Sequence, residues 1–339
     1  MNGGKRRGIV TGGTWCVDRN KIVSFWPQED GLAECLSEVK DGGGSGCNLA
    51  LDIRRLDPTM PVETIALVGD DEDGRFLQSL ADAAKVDRRQ MHVMKEAGTQ
   101  AVDAFSSQAT HRRTHIFSRG VADLLAPEHF DFAHTQARFL HLGLPGLHRK
   151  LDAPCGGDEN GWVSILKRAR AAGLKTNLEL ASIDVAQLAQ LCRPCLGHLD
   201  MIIVNDTEIG AISGMTTVRE CVTDMAACES AARSVMEKGA MEVVVVHCPA
   251  GAVAVTRDGN STFKSSVTVP PELVVGTNGA GDAFAAGMLY GIHEGWTMDD
   301  SLSLAHATAA VSLRSVSTTK AVEGWQTCLD LANKWGWRE

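Results

Sequence analysis

Short apolar runs alternate with amphipathic segments through most of the chain. The run at residues 242–247 is rich in β-branched side chains, which favour strands. Strands that alternate with helices predict a mostly parallel central sheet with helices on both faces. The predicted strands span residues 7–11, 63–68, 139–142, 175–180, 201–204 and 242–247, and the predicted helices span residues 49–56, 73–84, 159–172 and 185–192.

The last third of the chain has a different pattern. Residues 251–256 and 261–268 predict a β-hairpin, because the turn sequence Asp-Gly-Asn lies between them. Helical segments follow at residues 281–294, 298–315 and 322–335.

Two segments interrupt the alternation of strands and helices. Residues 15–25 and 91–118 are prone to form strands and contain no long helix. They predict additional strands outside the regular order. The alternative is that these segments form ordinary antiparallel strands at the edge of the central sheet.

Composition indicates one enzyme-sized domain. A chain of 339 residues with 44% hydrophobic residues can bury a large core, so we predict a single domain over residues 1–339. The formal net charge of −9 disfavours nucleic acid or an anionic membrane as a partner. No apolar stretch approaches the length of a membrane span. The ten cysteines follow no disulfide pattern and no secretory signal is evident, so we expect reduced thiols and a cytoplasmic location.

The segment with the most chemical information is residues 276–284, GTNGAGDAF. Gly279, Ala280 and Gly281 add little bulk, so backbone N–H groups can converge on an anion at the start of a helix. Asp282 then lies where it can accept the proton of an attacking hydroxyl. This arrangement predicts a phosphoryl-transfer site. A glycine-rich turn with a helix-capping Asp is the alternative.

Four ordered motifs resemble the ribokinase-like carbohydrate kinases, also called the PfkB family. Residues 277–282 match the family's D-T-x-G-A-G-D signature after its first position. Residues 43–50 (GGSGCNLA) are similar to G-G-x-x-x-N-x-A, residues 68–74 (VGDDEDG) to V-G-x-D-x-x-G, and residues 205–208 (NDTE) to N-x-x-E. The resemblance extends from about residue 9 to about residue 313.

The resemblance implies a ribokinase-like fold and an ATP-dependent kinase that phosphorylates a hydroxyl of a sugar or sugar-like molecule. Asp282 would be the base, and the amides of Gly279, Ala280 and Gly281 would stabilise the transferred phosphoryl group. Residues 15–25 and 91–118 would form a small β-sheet lid that excludes water. The resemblance also leaves open a homodimer formed through this lid.

The same resemblance implies which residues bind the substrate and which bind the nucleotide. The implied substrate-binding residues are Asp18, Gly43, Gly44, Asn48 and Arg119. A turn Asp and a solvated surface Arg are the alternatives for the first and last of these. The implied nucleotide-binding residues are Asn205, Thr277, Gly279, Gly281, Gly251 and His306. Glu208 would hold Mg²⁺ through water. Asn205 would also suit the cap of the following helix.

Three departures from the family pattern limit what the resemblance implies. Gly276 replaces the first aspartate of the signature, which argues against activation by potassium. Cys248 replaces the first glycine of a G-x-x-G nucleotide loop. Residues 177–181 (NLELA) lack the D-x-N-x-R of fructokinase-like and ketodeoxygluconate-kinase-like members, which argues against both substrates.

Two other functions compete with a sugar kinase. A nucleoside kinase, adenosine-like, would use the same chemistry with an aromatic acceptor pocket, but the chain has one Tyr and nine Phe. A non-catalytic small-molecule sensor on the same fold is the second alternative. Retention of Asp282 counts against it.

Overall fold

A nine-stranded sheet forms the middle layer of the computed structural model, which describes residues 6–110 and 112–339. The strands are β1 (Ile9–Gly13), β2 (Cys16–Val23), β3 (Cys35–Gly43), β4 (Val62–Gly69), β5 (Asp87–Met94), β6 (Ala101–Ser107), β7 (Arg113–Ser118), β8 (Phe139–Gly143), β9 (Lys175–Leu178), β10 (Met201–Asn205), β11 (Val218–Arg219), β12 (Val222–Thr223), β13 (Val243–Cys248), β14 (Gly251–Thr256) and β15 (Ser261–Ser265). The helices are α1 (Ser45–Leu56), α2 (Glu72–Ala83), α3 (Arg149–Asp152), α4 (Gly161–Ala171), α5 (Val185–Cys192), α6 (Asp206–Ser213), α7 (Met225–Lys238), α8 (Ala280–Glu294), α9 (Met298–Ser312) and α10 (Trp325–Trp335).

The central sheet has the order β15-β14-β13-β10-β9-β8-β1-β4-β5. Its strands from β13 to β5 pair in parallel, whereas β14 and β15 add an antiparallel edge. The predicted mostly parallel sheet is therefore confirmed. Among the described residues, no helix is both long and apolar enough to cross a membrane.

Both faces of the sheet are buried, which explains why its strands are almost continuously apolar. On β10, Met201 and Ile203 pack into one core with residues of α1, α8 and α9. Ile202 and Val204 point the other way, into a core with residues of α4, α5, α6 and α7. Burying a polar side chain without a hydrogen-bond partner costs free energy. Polar side chains are therefore accommodated most easily where the strands end.

A second, four-stranded sheet has the order β3-β2-β6-β7. It contains strands from both segments that interrupt the sequence pattern, together with β3, which the sequence analysis did not predict. One boundary was wrong. Residues 91–94, assigned to the lid, belong to β5 and pair with β4 at the edge of the central sheet. A run of strand-prone residues has the same pattern in either sheet. The sequence alone therefore does not show which sheet the strand joins.

The sequence analysis also did not predict α7, although the sequence contains a capping residue and the apolar spacing of a helix there. Asp224 caps this helix by accepting a hydrogen bond from the Ala227 N–H at 3.0 Å. Its buried residues recur at helical spacing and are Cys228, Ala231, Ala232, Val235 and Met236.

Helices α8 and α9 approach each other through glycine. A Cβ atom at Gly287 would lie 2.8 Å from the Ala305 Cα and 2.8 Å from the Leu304 carbonyl oxygen. These neighbours are backbone atoms, which cannot rotate away as a side chain could. Gly287 therefore sets how closely α8 packs on α9.

We expect Gly287→Ala to destabilise the protein by about 1–3 kcal/mol, because overpacking outweighs the gain of about 1 kcal/mol in helix propensity. Denaturant unfolding measures this change. Gly197→Ala is the matched control, since a Cβ at Gly197 would meet nothing within 4 Å. Equal stability of the two variants would contradict a close helix contact at Gly287.

Candidate active site

The start of α8 is a tight turn followed by a carboxylate. Gly279 has a left-handed backbone with φ of 79°, and a Cβ there would lie 2.6 Å from the Thr318 carbonyl oxygen. Glycine is therefore required both by conformation and by space. Asp282 lies in the first turn of α8, where the first N–H groups lack helical acceptors.

Asp282 is held by a residue that is 234 positions away in the sequence. Asn48, on α1, donates from Nδ2 to Asp282 Oδ2 at 2.8 Å. Asn48 Oδ1 accepts from the Thr318 hydroxyl at 2.9 Å, so its amide orientation is fixed from both ends. The structure thus brings together a predicted substrate residue and the predicted base.

Asp18 lies against the glycine-rich start of α1. A Cβ at Gly43 would be 2.3 Å from the Asp18 carboxyl carbon, so only glycine permits this approach. Gly44 is equally restricted, since its Cβ would lie 2.4 Å from Thr14 Cγ2. Asp18, Gly43 and Gly44 therefore form one side of a site that continues to Asn48 and Asp282.

The carboxyl end of β10 carries Asn205 and Glu208. Asn205 Oδ1 accepts from the Glu208 N–H at 2.9 Å, and Glu208 Oε2 accepts from the Asn205 N–H at 2.9 Å. This reciprocal capping box starts α6 and fixes the Glu208 carboxylate. Burial, with further contributions from Asp206 and Asp282, raises the pKa of Glu208 to about 7.

Three residues that sequence reasoning did not place in the site lie behind Asp282. Glu179 directly follows β9, and its carboxylate contributes to the raised pKa of Asp282. His141 Nε2 lies 2.6 Å from Glu179 Oε2, and His141 Nδ1 lies 2.9 Å from Asn177 Nδ2. His141 and Asn177 are direct neighbours in the β8–β9 register. An acidic residue just after a parallel strand was the signal that could have identified Glu179.

The electrostatics of the Asp282 carboxyl follow from these neighbours. Burial and the nearby Glu179 carboxylate raise the pKa of Asp282 well above its ordinary value, against the lowering effect of the Asn48 hydrogen bond. Burial lowers the pKa of His141 to about 4, so this imidazole is neutral at pH 7.

A cavity of about 560 Å³ opens on the α8 side of the site. Five of its lining residues were predicted site residues, namely Asn205, Thr277, Ala280, Gly281 and His306. Phe284 forms part of the wall between two imidazoles, with ring centroids 4.6 Å from His247 and 5.0 Å from His306. Gly251 is absent from the lining, but it pairs with Cys248, which does line the cavity.

Arg119 and Gly276 have local partners. Arg119 donates to the Gly146 carbonyl oxygen at 3.3 Å and lies 3.7 Å from the Asp123 carboxylate. A Cβ at Gly276 would lie 3.0 Å from the Ser315 carbonyl oxygen, so there is little room for a side chain. Contact of Arg119 with substrate and the weak effect of potassium both stay predictions.

A more open cavity of about 930 Å³ lies between α5 and α6. None of the carboxylates that surround Asp282 lines it. The smaller cavity is therefore the better candidate reaction site, because it is less open and is lined by Ala280 and Gly281 at the start of α8, next to Asp282.

Comparison with protein families gives one match that spans nearly the whole chain. The sequence model described as pfkB family carbohydrate kinase matches residues 8–324.

Individual relatives agree with this match. The 5-dehydro-2-deoxygluconokinase of Shouchella clausii is 25% identical over 330 residues, covering 94% of this chain and 93% of the relative. The protein of the same name from Clostridium beijerinckii is 27% identical over 327 residues, covering 93% and 90%. Among solved structures, the Arabidopsis thaliana ribokinase complexed with ribose and ATP has a TM-score of 0.79 at 17% identity, covering 96% of this chain and 99% of that one.

Proposed function

Because the chain belongs to the pfkB family of carbohydrate kinases, we propose that Asp282 accepts the proton of a sugar hydroxyl as that hydroxyl attacks the γ-phosphoryl group of ATP. The protein is an ATP-dependent sugar kinase. The observation that carries the role of Asp282 is its position. It lies in the first turn of α8 and is fixed by Asn48 at 2.8 Å, beside a cavity that Gly281 lines.

The proposed step moves one phosphoryl group and one proton. The hydroxyl oxygen forms a bond to the γ-phosphorus while the bond from that phosphorus to the bridging oxygen of ADP breaks, and the hydroxyl proton passes to Asp282. Backbone N–H groups of Gly281 and its neighbours stabilise the charge on the phosphoryl oxygens, supported by the positive end of the α8 dipole. ATP occupies the cavity of about 560 Å³.

The acidic surroundings of Asp282 also fit a magnesium ion. Glu208 offers a hard carboxylate oxygen ligand, and repulsion from Asp206 and Asp282 contributes to its raised pKa. Within the described ranges, no group of three or more His, Cys, Asp or Glu residues forms a complete metal centre. Mg²⁺ in kinases commonly retains water and binds substrate phosphates, so one or two protein carboxylates suffice. When bound, it neutralises phosphate charge, and Glu208 orients the hydrated ion.

The substrate is proposed to be a sugar or sugar acid that enters beneath the small sheet. Asp18 and Asn48 provide polar groups for its hydroxyls, and Gly43 lets the backbone approach the ring. Several full-length relatives are named 5-dehydro-2-deoxygluconokinase, so this deoxy-keto acid is the first compound to test. A nucleoside acceptor has less support, because the relative named adenosine kinase matches over only 36% of this chain.

An assay of ADP release with Mg-ATP tests the function. The panel contains 5-dehydro-2-deoxygluconate, ribose, fructose and adenosine, and the product is identified by mass. Phosphorylation of a sugar or sugar acid supports the proposal. Phosphorylation of adenosine alone would replace it with a nucleoside kinase.

We expect Asp282→Asn to reduce kcat by about 10²–10⁴, because the base that takes the proton is lost, while ATP still binds. Steady-state kinetics and calorimetric titration with ATP measure the two effects. Asp299→Asn is the matched control, since Asp299 lies in the first turn of α9. A nearly normal kcat in Asp282→Asn would remove this carboxylate from the mechanism.

We expect Glu208→Gln to raise the Mg²⁺ concentration needed for half-maximal rate and to lower kcat. Gln at this position preserves the capping box, so the change removes charge rather than the helix start. Because the pKa of Glu208 is raised to about 7, protons should compete with Mg²⁺ as the pH falls below that value in the wild type. Magnesium titrations at pH 6 and pH 8 measure this, with exposed Glu237→Gln as the control. Identical titrations in wild type and Glu208→Gln would restrict Glu208 to its capping role.

We also propose that the small sheet forms a homodimer. Asp18, Val102 and Phe117 are paired across β2, β6 and β7, so their side chains share one face. On this face Ile22 and Phe117 are 40% and 43% exposed, which is a large apolar exposure for a sheet that borders the site. A second copy of this sheet is the partner that would cover it.

Sedimentation velocity tests the dimer. The wild type should sediment with twice the chain mass of 36.2 kDa, and Ile22→Glu should shift it toward monomer. Val222→Glu is the control, since Val222 is equally apolar and 69% exposed but lies on β12. A monomeric wild type would exclude the proposal.

A cytoplasmic location is a further part of the proposed function. All ten cysteines are free thiols in the structure, which suits a reducing compartment.

A further inference from the structure

The segment that follows α10 is paired with the chain that follows β15. Val267 and Trp337 form an antiparallel bridge, and the Arg338 N–H donates to the Ser266 carbonyl oxygen at 2.8 Å. Ser266, Val267 and Arg338 all line the cavity of about 560 Å³. The backbone of Arg338 is therefore fixed at the wall of the cavity in which ATP is proposed to bind.

The neighbouring Trp337 is held through its side chain. Lys264 Nζ lies 5.2 Å from the centre of the Trp337 ring, and the same ammonium group lies 2.9 Å from the Asp299 carboxylate. The Trp337 Nε1–H donates to Asn333 Oδ1 at 3.3 Å. These contacts keep the backbone that carries Arg338 in place.

Ser266 connects Arg338 to the turn between β13 and β14. The Ser266 hydroxyl donates to the carbonyl oxygen of Pro249, a residue of that turn, at 2.7 Å. One residue before the turn region, His247 is the register neighbour of Asn205 at the end of β10. Arg338 is therefore linked, through Ser266, to the polar end of the cavity.

The cavity has little positive charge apart from Arg338. Of the described residues that line it, Arg338 is the single lysine or arginine. The two imidazoles in the lining are neutral at pH 7, because burial lowers the pKa of His247 and of His306 to about 4. A bound polyanion would thus have one charged side chain of opposite sign in this wall.

The Arg338 guanidinium is exposed and forms no hydrogen bond or ion pair with another described residue. The one carboxylate among the described lining residues is that of Asp206, which accepts from the Thr207 N–H at 2.9 Å and from the Thr223 hydroxyl. The N–H donors of Arg338 are therefore available, and their planar arrangement matches phosphate oxygens.

Other parts of the lining are apolar. They include Val269, Ala309, Ala310 and Leu313. An apolar wall suits a nucleobase, whereas the N–H groups at the start of α8 suit phosphate. The cavity thus has separate surfaces for the two ends of a nucleotide.

We propose that Arg338 binds the phosphate chain of the nucleotide through its guanidinium group. This inference rests on the proposed binding of ATP in the same cavity. Arg338 holds the nucleotide and takes no part in the proton transfer assigned to Asp282. It therefore favours ATP and ADP over the uncharged nucleoside.

Calorimetric titrations with ATP, ADP and adenosine compare the wild type with Arg338→Gln. We expect the variant to bind ATP and ADP about tenfold or more weakly, because hydrogen bonds to a charged group are lost, and to bind adenosine as the wild type does. Added salt should weaken ATP binding more in the wild type than in Arg338→Gln. An equal loss of affinity for adenosine would overturn the contact with phosphate.

Two further variants test whether the guanidinium itself is responsible. Arg338→Lys keeps the charge without the planar fork, so it should retain part of the affinity for ATP. Lys334→Gln is the matched control, since it removes one exposed positive charge in the last turn of α10 and Lys334 does not line the cavity. A loss of ATP affinity in Lys334→Gln as large as that in Arg338→Gln would attribute the effect to net charge and overturn the proposal.

Kinetics separate this role from that of the base. Arg338→Gln should raise KM for ATP with little change in kcat, whereas Asp282→Asn should lower kcat. Unchanged ATP affinity in Arg338→Gln, with a wild type that binds ATP, would overturn the role of Arg338 and leave the proposed reaction intact. A wild type that does not bind ATP would overturn both.

Discussion

A parallel sheet that is buried on both faces can carry polar chemistry only where its strands end. In this protein the strands β8, β9 and β10 lead to the functional groups at one edge of the sheet. His141 and Asn177 are exceptions, because they lie inside β8 and β9 and are buried. The His141 imidazole is tolerated since Asn177 and Glu179 contact its two ring nitrogens. The position of the site therefore follows from the burial of the sheet.

Several features of this arrangement could be predicted from local sequence. Asp282 and the glycines before it form a helix start that is encoded within a few residues, and the alternation of strands and helices predicts the sheet. Contacts between separate strands have no such local signal. The neighbour relation of His141 and Asn177 depends on strand register, and residues 91–94 could be assigned to β5 only once pairing with β4 was known. Glu179 was overlooked for the same reason, since its importance comes from where Asp282 lies.

The site has to bind a polyanion although several acidic side chains converge on it. Burial raises the pKa values of Asp282, Glu179 and Glu208, and repulsion from neighbouring carboxylates adds to this effect. In the proposed reaction, attraction for phosphate would come from the N–H groups at the start of α8, from Arg338, which lines the cavity, and from the divalent ion proposed to arrive with the nucleotide.

The hydrogen bond between Asn48 and Asp282 also affects how the site can arise during synthesis of the chain. The two residues are separated by 234 positions, and Thr318, which fixes the Asn48 amide, lies later still. Loop-closure entropy makes such distant contacts slow to form. A ribosome-bound fragment that ends before residue 318 lacks Thr318 and therefore cannot fix the Asn48 amide in its final orientation. The capacity to transfer phosphate therefore requires that synthesis has passed residue 318.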